Sequence, residues 1–288
     1  MSFDANAHRA ASVQGWEEAA RGWVRRQETL RELGAPVSHW LLDALHLQPG
    51  HRVLELAAGL GETGMLAAEL VAPMGGVIIS DQAEAMLEGA RARAAELGLS
   101  NVEFQVLGAE WIDLPVASVD AVVCRWGYML MADPAAALGE TRRVLRPGGR
   151  LSLAVWDAIE HNPWAQLPAA ELRARGLASD PGPAPDGQRP PGPFALGSAD
   201  LVRGLLEEAG FADVEVREMD LWRRNRSFDE LWDVTLDLSR AFHDAVMARP
   251  EREVEAIRTS LAERFSPYTA ADGTLEVPGR TLLAAAGA

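Results

Sequence analysis

Lysine is missing altogether: every one of the 27 basic residues in this 288-residue chain is arginine. Against them stand 42 acidic residues, which leaves a formal charge of −15. An acidic chain without a basic cluster argues against nucleic acid and against anionic membranes as partners. Cysteine is nearly missing too. Cys124 stands alone, so neither an intramolecular disulfide nor a thiolate metal cluster is available, and no metal site is expected. The stretch Met1-Ser-Phe-Asp-Ala-Asn lacks a basic region followed by an apolar one, so no signal peptide is expected. No apolar run is long enough to span a bilayer. These absences make a cytoplasmic protein the expectation, with its oligomeric state left open.

What is present is enough to build a core. Hydrophobic residues make up 48% of the chain, which suits one large domain or a domain with a cap. The spacing of Val13, Trp16, Ala20, Trp23 and Leu30 predicts an amphipathic helix over residues 10–33, ended by Gly34-Ala35-Pro36. A second helix is expected over 36–45. Short apolar runs at 53–57, 76–80, 102–107, 119–124 and 151–155 then alternate with helical stretches at 62–71, 83–97 and 134–145. Strands alternating with helices predict a parallel sheet covered on both faces. From Gly176 to Gly197 the chain is crowded with proline and glycine. It reads either as a solvated loop or as a flap over a site. Helix 198–209, strand 214–221, helices 227–247 and 251–264, and a last strand 275–284 complete the expected elements.

The chain is organised around Arg52-Val-Leu-Glu-Leu-Ala-Ala-Gly-Leu-Gly-Glu-Thr-Gly64. A buried strand runs into a glycine-rich turn and then a helix, so the backbone can approach a ligand closely. Read literally, Gly59-x-Gly61-x-x-Gly64 is the dinucleotide fingerprint, a weak signal by itself. Ligands of such sheets bind at the carboxyl ends of the strands. That rim holds Gly59–Gly61, Asp81, Gly108–Glu110, Cys124–Tyr128 and Trp156–His161. Asp81 lies about 20 residues past the turn, where a carboxylate accepts hydrogen bonds from a ribose diol. Capping the following helix is its alternative role. Trp126, Tyr128 and Trp156 stand where a planar substrate would stack, or they pack the core. His161 is the best-placed histidine for a general base, and the competing reading is an exposed residue before a helix start.

Residues 50–156 resemble the class I S-adenosylmethionine-dependent methyltransferases, and most nearly the ubiquinone/menaquinone-biosynthesis branch. The first family motif appears as Glu55-Leu-Ala57-Ala-Gly59-Leu-Gly61, with Ala57 in place of the first glycine. Asp81 matches the acidic residue that closes the second strand. Ser118–Arg125 resembles the strand-four segment, and Arg143-Val-Leu-Arg-Pro-Gly-Gly-Arg150 matches the turn before strand five. The resemblance implies a doubly wound α/β fold of Rossmann-like methyltransferase type. Its sheet would be mostly parallel and seven-stranded, with an antiparallel last strand and a helical cap. It implies S-adenosylmethionine as cofactor and S-adenosylhomocysteine as product. Glu55, Ala57, Gly59, Gly61, Asp81, Gln82, Gly108, Ala109, Glu110 and Arg125 are the implied cofactor contacts. The family often reads adenine with an Asp-Ala pair after strand three. Here the pair is Gly108-Ala109, so Glu110 or the Ala109 N–H is expected to take over.

The expected acceptor is a small, largely apolar molecule of aromatic or quinone-like type. It would be held by Trp16, Trp126, Tyr128, Trp156 and Trp232, with His161 as the candidate catalytic residue. The expected units are a helical cap segment (1–46), a cofactor-binding core (47–157), a Pro/Gly-rich loop returning to the sheet (158–226), a helical cap insertion (227–270) and the last strand (271–288). The helix bearing Trp16 and the one bearing Trp232 are expected to meet over the strand ends, with the Pro-rich loop at the mouth. The alternatives are an NAD(P)-dependent oxidoreductase using the fingerprint turn and a non-catalytic S-adenosylmethionine-binding protein. Glu55 speaks against the first of these, because a carboxylate beside a pyrophosphate is repelled.

Overall fold

The computed structural model describes residues 3–179, 182 and 189–288. Seven strands form one sheet: β1 (Arg52–Glu55), β2 (Gly76–Asp81), β3 (Val102–Val106), β4 (Val119–Arg125), β5 (Leu145–Trp156), β6 (Ala212–Asn225) and β7 (Leu275–Gly287). Their spatial order is β3-β2-β1-β4-β5-β7-β6. The pairs from β3 through β5 are parallel, and β7 runs antiparallel to both neighbours. The order reverses between β1 and β4, so a crevice opens at their carboxyl ends. Val53, Leu54, Leu56 and Ile79 are fully buried, as a strand covered on both faces requires.

The helices beside the sheet are α3 (Glu62–Val71), α4 (Glu84–Glu96), α5 (Pro134–Val144) and α7 (Ala199–Glu208). The amino-terminal pair departs from the expected boundaries. Asp4 caps α1 (Ala5–Arg25), the chain breaks at Arg26, and α2 runs from Gln27 to Ala44 with Pro36 inside it. Gly34-Ala35-Pro36 therefore does not end a helix. Val37, Leu41 and Leu42 are buried in the main core, and that burial holds the helix through the proline. Gly34 has a packing reason: a Cβ there would lie 1.8 Å from Arg125 Nη1.

The expected long helix over 227–247 is likewise two, α8 (Phe228–Leu238) and α9 (Arg240–Met247). Ser239 is extended between them, and its hydroxyl accepts from the Phe242 N–H. β6 runs on to Asn225, farther than expected, because it pairs with β7 past the end of β5, and β7 gains residues 285–287 by pairing with the start of β5's parallel stretch. Trp156, the last residue of β5, lies opposite Thr281, while the ribbon continues to Asn225 and Leu275. On this extension sits a second core. Trp232, Phe242, Ile257, Leu261 and Phe265 come from α8, α9 and α10 (Glu251–Phe265), and Leu172 from α6 (Pro163–Ala174).

Candidate active site

The glycine-rich turn is built from left-handed backbone. Ala57, Gly59 and Gly61 have φ of 50°, 55° and 75°. For Ala57, which carries a Cβ, this costs roughly 1–2 kcal/mol. Gly127 across the crevice makes room for that methyl, since a Cβ there would stand 2.7 Å from it. The turn is pinned from β2: Asp81 Oδ2 accepts from the Gly59 N–H at 2.8 Å and Oδ1 from the Ala83 N–H at 2.9 Å. Gly64, the third glycine of the fingerprint, packs against a carboxylate. A Cβ there would lie 2.4 Å from Glu55 Oε2.

Above the turn lies a cavity of about 540 Å³. Glu55, Ala57, Gly59, Asp81, Gln82, Gly108, Ala109, Glu110 and Arg125 line it, as do Trp16 and Trp126. Gly61 stands behind the wall, where a Cβ would press on Ile79 and Ala90. The roof is α1. Ala20 packs with Leu60, Ala83 and Met86, and Trp16, Trp23 and Leu30 pack around them. Polar contacts fasten the roof along its length. His8 Nε2 donates to Leu130 O at 3.1 Å, and Gln82 Nε2 donates to Ser12 Oγ at 2.8 Å. Arg9 Nε donates to Glu110 Oε2 at 2.9 Å, and its Nη2 reaches the same oxygen. Glu17 accepts from the N–H groups of Glu84 and Ala85, so α1 supplies the cap that α4 lacks.

A family model described as a methyltransferase domain matches residues 47–178. An arsenite methyltransferase of Halobacterium salinarum is 32% identical over 214 residues, 72% of this chain and 49% of the relative. A ubiquinone/menaquinone biosynthesis C-methyltransferase of Pseudomonas fluorescens is 38% identical over 116 residues, 39% of this chain and 45% of the relative. Residues 47–178 form a methyltransferase domain of the class I S-adenosylmethionine-dependent type. The chain spans about half the length of the curated relatives it matches. The fold is shared with phosphoethanolamine N-methyltransferase 2 of Haemonchus contortus in complex with S-adenosylmethionine. That likeness has a TM-score of 0.52 at 17% identity and covers 87% of this chain and 52% of that one.

The walls fit the family's cofactor. Glu55 is 2% exposed, and its Oε2 has no hydrogen-bond partner. Burial pushes its pKa up to about 8, against the pull of Arg125. A cationic group beside it would ionise it and take up the orphaned oxygen, and the cofactor's amino-acid tail carries such a group, an ammonium. Burial also raises the pKa of Asp81, while the Ala83 and Gly59 N–H groups draw it down. Its two oxygens keep lone pairs for a ribose diol beyond those N–H groups. Glu110, expected to read adenine, is engaged elsewhere: Arg9 holds Oε2, and Oε1 accepts from the Ala132 N–H at 2.9 Å. Ala109, the other residue expected at the adenine, also lines the cavity.

Several expected substrate residues of this methyltransferase do not reach the cavity. Trp126 does, in left-handed backbone with φ of 62°, and its Nε1 donates to Thr281 Oγ1 at 3.0 Å. Trp156 stacks behind Trp126 with ring centroids 4.4 Å apart and planes 12° apart, and it forms a second layer of the wall. Tyr128 is fully buried beneath α5, with its hydroxyl 2.6 Å from Thr141 Oγ1. Trp232 belongs to the second core, edge-on to Phe242. α8 does meet α1, where Gly22 lets the Asp237 backbone approach and Asp237 accepts from Arg25 and Arg26, but it brings no aromatic to the cavity. His161 pairs with Asp157 at 2.5 Å, is half exposed and does not line the cavity. The Pro-rich run expected at the mouth lies partly outside the described residues. Gly192, in the described part, donates to Met129 O at 2.9 Å.

Leu30, Met86 and Trp111 line the cavity and His8, Arg9 and Ser12 stand in its roof, none of them expected there from the sequence, whereas Trp23 follows Trp16 by seven residues on the helix face expected to close over the strand ends. The Arg9–Glu110 pair joins positions 101 apart and had no signal in the sequence.

Proposed function

We propose that this chain moves the methyl group of S-adenosylmethionine to a small, largely apolar acceptor of aromatic or quinone-like type. The observation that carries the reading is the division of one cavity. Its sheet side presents Glu55, Asp81 and the left-handed turn, while its roof and far wall present Trp16, Trp23, Trp126, Leu130 and Met131. When bound, the cofactor supplies a sulfonium methyl to which an acceptor lone pair bonds as the carbon–sulfur bond breaks, leaving S-adenosylhomocysteine. The residues then have positional work. Asp81 and Glu55 orient the two ends of the cofactor, and the roof excludes water. Fixing two reactants in line can supply about 7–11 kcal/mol of the barrier. His161 does not line the cavity, so the proton that a phenolic acceptor gives up does not pass to it directly.

The arsenite chemistry named for one relative suits this chain poorly. A soft metalloid wants thiolates, and the lone Cys124 is fully buried, with its thiol pKa pushed up to about 12 by desolvation. The NAD(P) alternative is disfavoured by Glu55, a buried carboxylate at the end of β1 that lines the cavity and would repel a pyrophosphate there. Incubation with methyl-labelled S-adenosylmethionine and a panel of hydroquinones, phenols, amines and arsenite tests the proposal. Label in an apolar, extractable product is expected from the hydroquinones or phenols. Transfer to amines or arsenite alone would overturn the acceptor class.

A further inference from the structure

We infer that His8 of α1 is the general base of this site and takes the hydroxyl proton of a phenolic acceptor. The inference deepens the proposed function and rests on it, because only an acceptor with a proton to lose needs such a group. Among the described residues, the titratable side chains lining the cavity are His8, Arg9, Glu55, Asp81, Glu110 and Arg125. Arginine has no lone pair to offer. Asp81 accepts from the Gly59 and Ala83 N–H groups, and Glu55 stands with it on the sheet side, where the proposed function gives both to the cofactor. Glu110 has both oxygens engaged, one by Arg9 and one by the Ala132 N–H. His8 is what remains.

Its hydrogen bonding suits the task. A carbonyl oxygen can only accept, so Nε2, which stands 3.1 Å from Leu130 O, carries the hydrogen. That bond fixes the neutral tautomer with its lone pair on Nδ1. Among the described residues, Nδ1 has no hydrogen-bond partner. An imidazole held through one nitrogen, with the other free to accept, is arranged as a base. The ring is steadied further by Phe3, with centroids 5.5 Å apart. Leu130 belongs with Trp126 and Met131 to the apolar wall that the proposed function gives to the acceptor. One hydrogen bond therefore ties the base to that wall.

The proton has a complete route. The acceptor oxygen gains the methyl and loses its hydroxyl proton to Nδ1, which leaves an ether and an imidazolium. The electron pair of the broken carbon–sulfur bond stays on sulfur. His8 is half-buried, so the imidazolium can then return its proton to water. The competing reading is a clamp, with His8 serving only to tie α1 to Leu130.

Two variants of the full chain separate base from clamp. His8→Gln keeps an N–H for Leu130 O and removes the basic lone pair, while His8→Ala removes both. Turnover is compared for a weakly acidic phenol and for a nitro-substituted phenol already ionised at the assay pH. In His8→Gln the weakly acidic phenol should lose roughly 100–10,000-fold and the ionised one little, with S-adenosylhomocysteine binding unchanged. Added imidazole should restore part of the lost rate in His8→Ala. A further readout needs neither cofactor nor turnover. In nitrogen NMR of the ligand-free chain, the weakly acidic phenol should move the Nδ1 resonance of His8, identified by its absence from His8→Gln. The inference is overturned by equal loss with both phenols, by no loss with either, or by an Nδ1 resonance that a bound phenol leaves unmoved. Equal loss with a lowered melting temperature would mark the clamp. A wild type that methylates no phenol would instead remove the acceptor reading, and the base with it.

Discussion

Asp81 and Glu55 hold the turn and the strand end of the fold, and the proposed function gives each a second task at the ligand. Asp81 ties the Gly59 and Ala83 N–H groups, so Asp81→Ala should lower the melting temperature of the ligand-free protein as well as weaken S-adenosylhomocysteine binding by roughly 2–4 kcal/mol. Calorimetry beside thermal denaturation checks both, and unchanged affinity in a folded variant would remove the ribose role. Glu55 makes a pH prediction. Its folded pKa of about 8 lies above its ordinary value, so the native state holds this proton more tightly than the unfolded chain. Its contribution to stability is complete below the ordinary carboxylate range and is lost as pH rises through about 8. The decline in the ligand-free protein should flatten in Glu55→Gln. Because the cofactor's ammonium favours the ionised form, affinity should rise with pH toward the same value, with proton release visible in buffers of different ionisation enthalpy. At this scale the sequence was most legible: motif order placed Glu55, Asp81 and the turn without coordinates. It could not show that Gly64 is glycine because of Glu55, or that Gly127 answers Ala57, since one is a contact of α3 with β1 and the other joins the segments after β4 and β1.

At the scale of elements, α1 is the part of the site most open to perturbation. It lies outside the segment matched by the family model and roofs the cavity through a few polar contacts and a small apolar cluster. The Arg9–Glu110 pair is partly exposed, with side-chain exposures of 43% and 16%, so its worth is at most about 1 kcal/mol. Arg9→Ala or Glu110→Gln should therefore speed S-adenosylhomocysteine release about fivefold at low salt, measured by stopped flow. The double variant should add little, and the effect should shrink as salt rises. Additive effects, or none at low salt, would mean that the pair does not hold the roof. Helix existence was legible from apolar spacing, but helix ends were not. Burial of Val37 and Leu41 carries α2 through Pro36, and Ser239 breaks a run whose apolar pattern continues across it.

Across the whole molecule, the family-matched segment supplies the sheet-side wall, while the chain outside it supplies the roof and, with α6, the second core. The parallel sheet followed from the α/β alternation, and its seven strands with an antiparallel last strand from the resemblance. The ribbon past Trp156 did not, because its length depends on β6 and β7 pairing with each other rather than on either sequence alone. Trp232 was assigned to the cavity from its apolar helix face, and that face instead closes the second core. Glu55, Asp81 and the roof of α1 together form one cofactor chamber in this description. A crystal structure of the full chain with S-adenosylhomocysteine tests that most directly. The expected result has the ribose diol on Asp81, the tail ammonium beside Glu55, and Ser12 and Trp16 of α1 closed over the ligand. A ligand bound outside this chamber, or bound within it with α1 displaced from the strand ends, would contradict it.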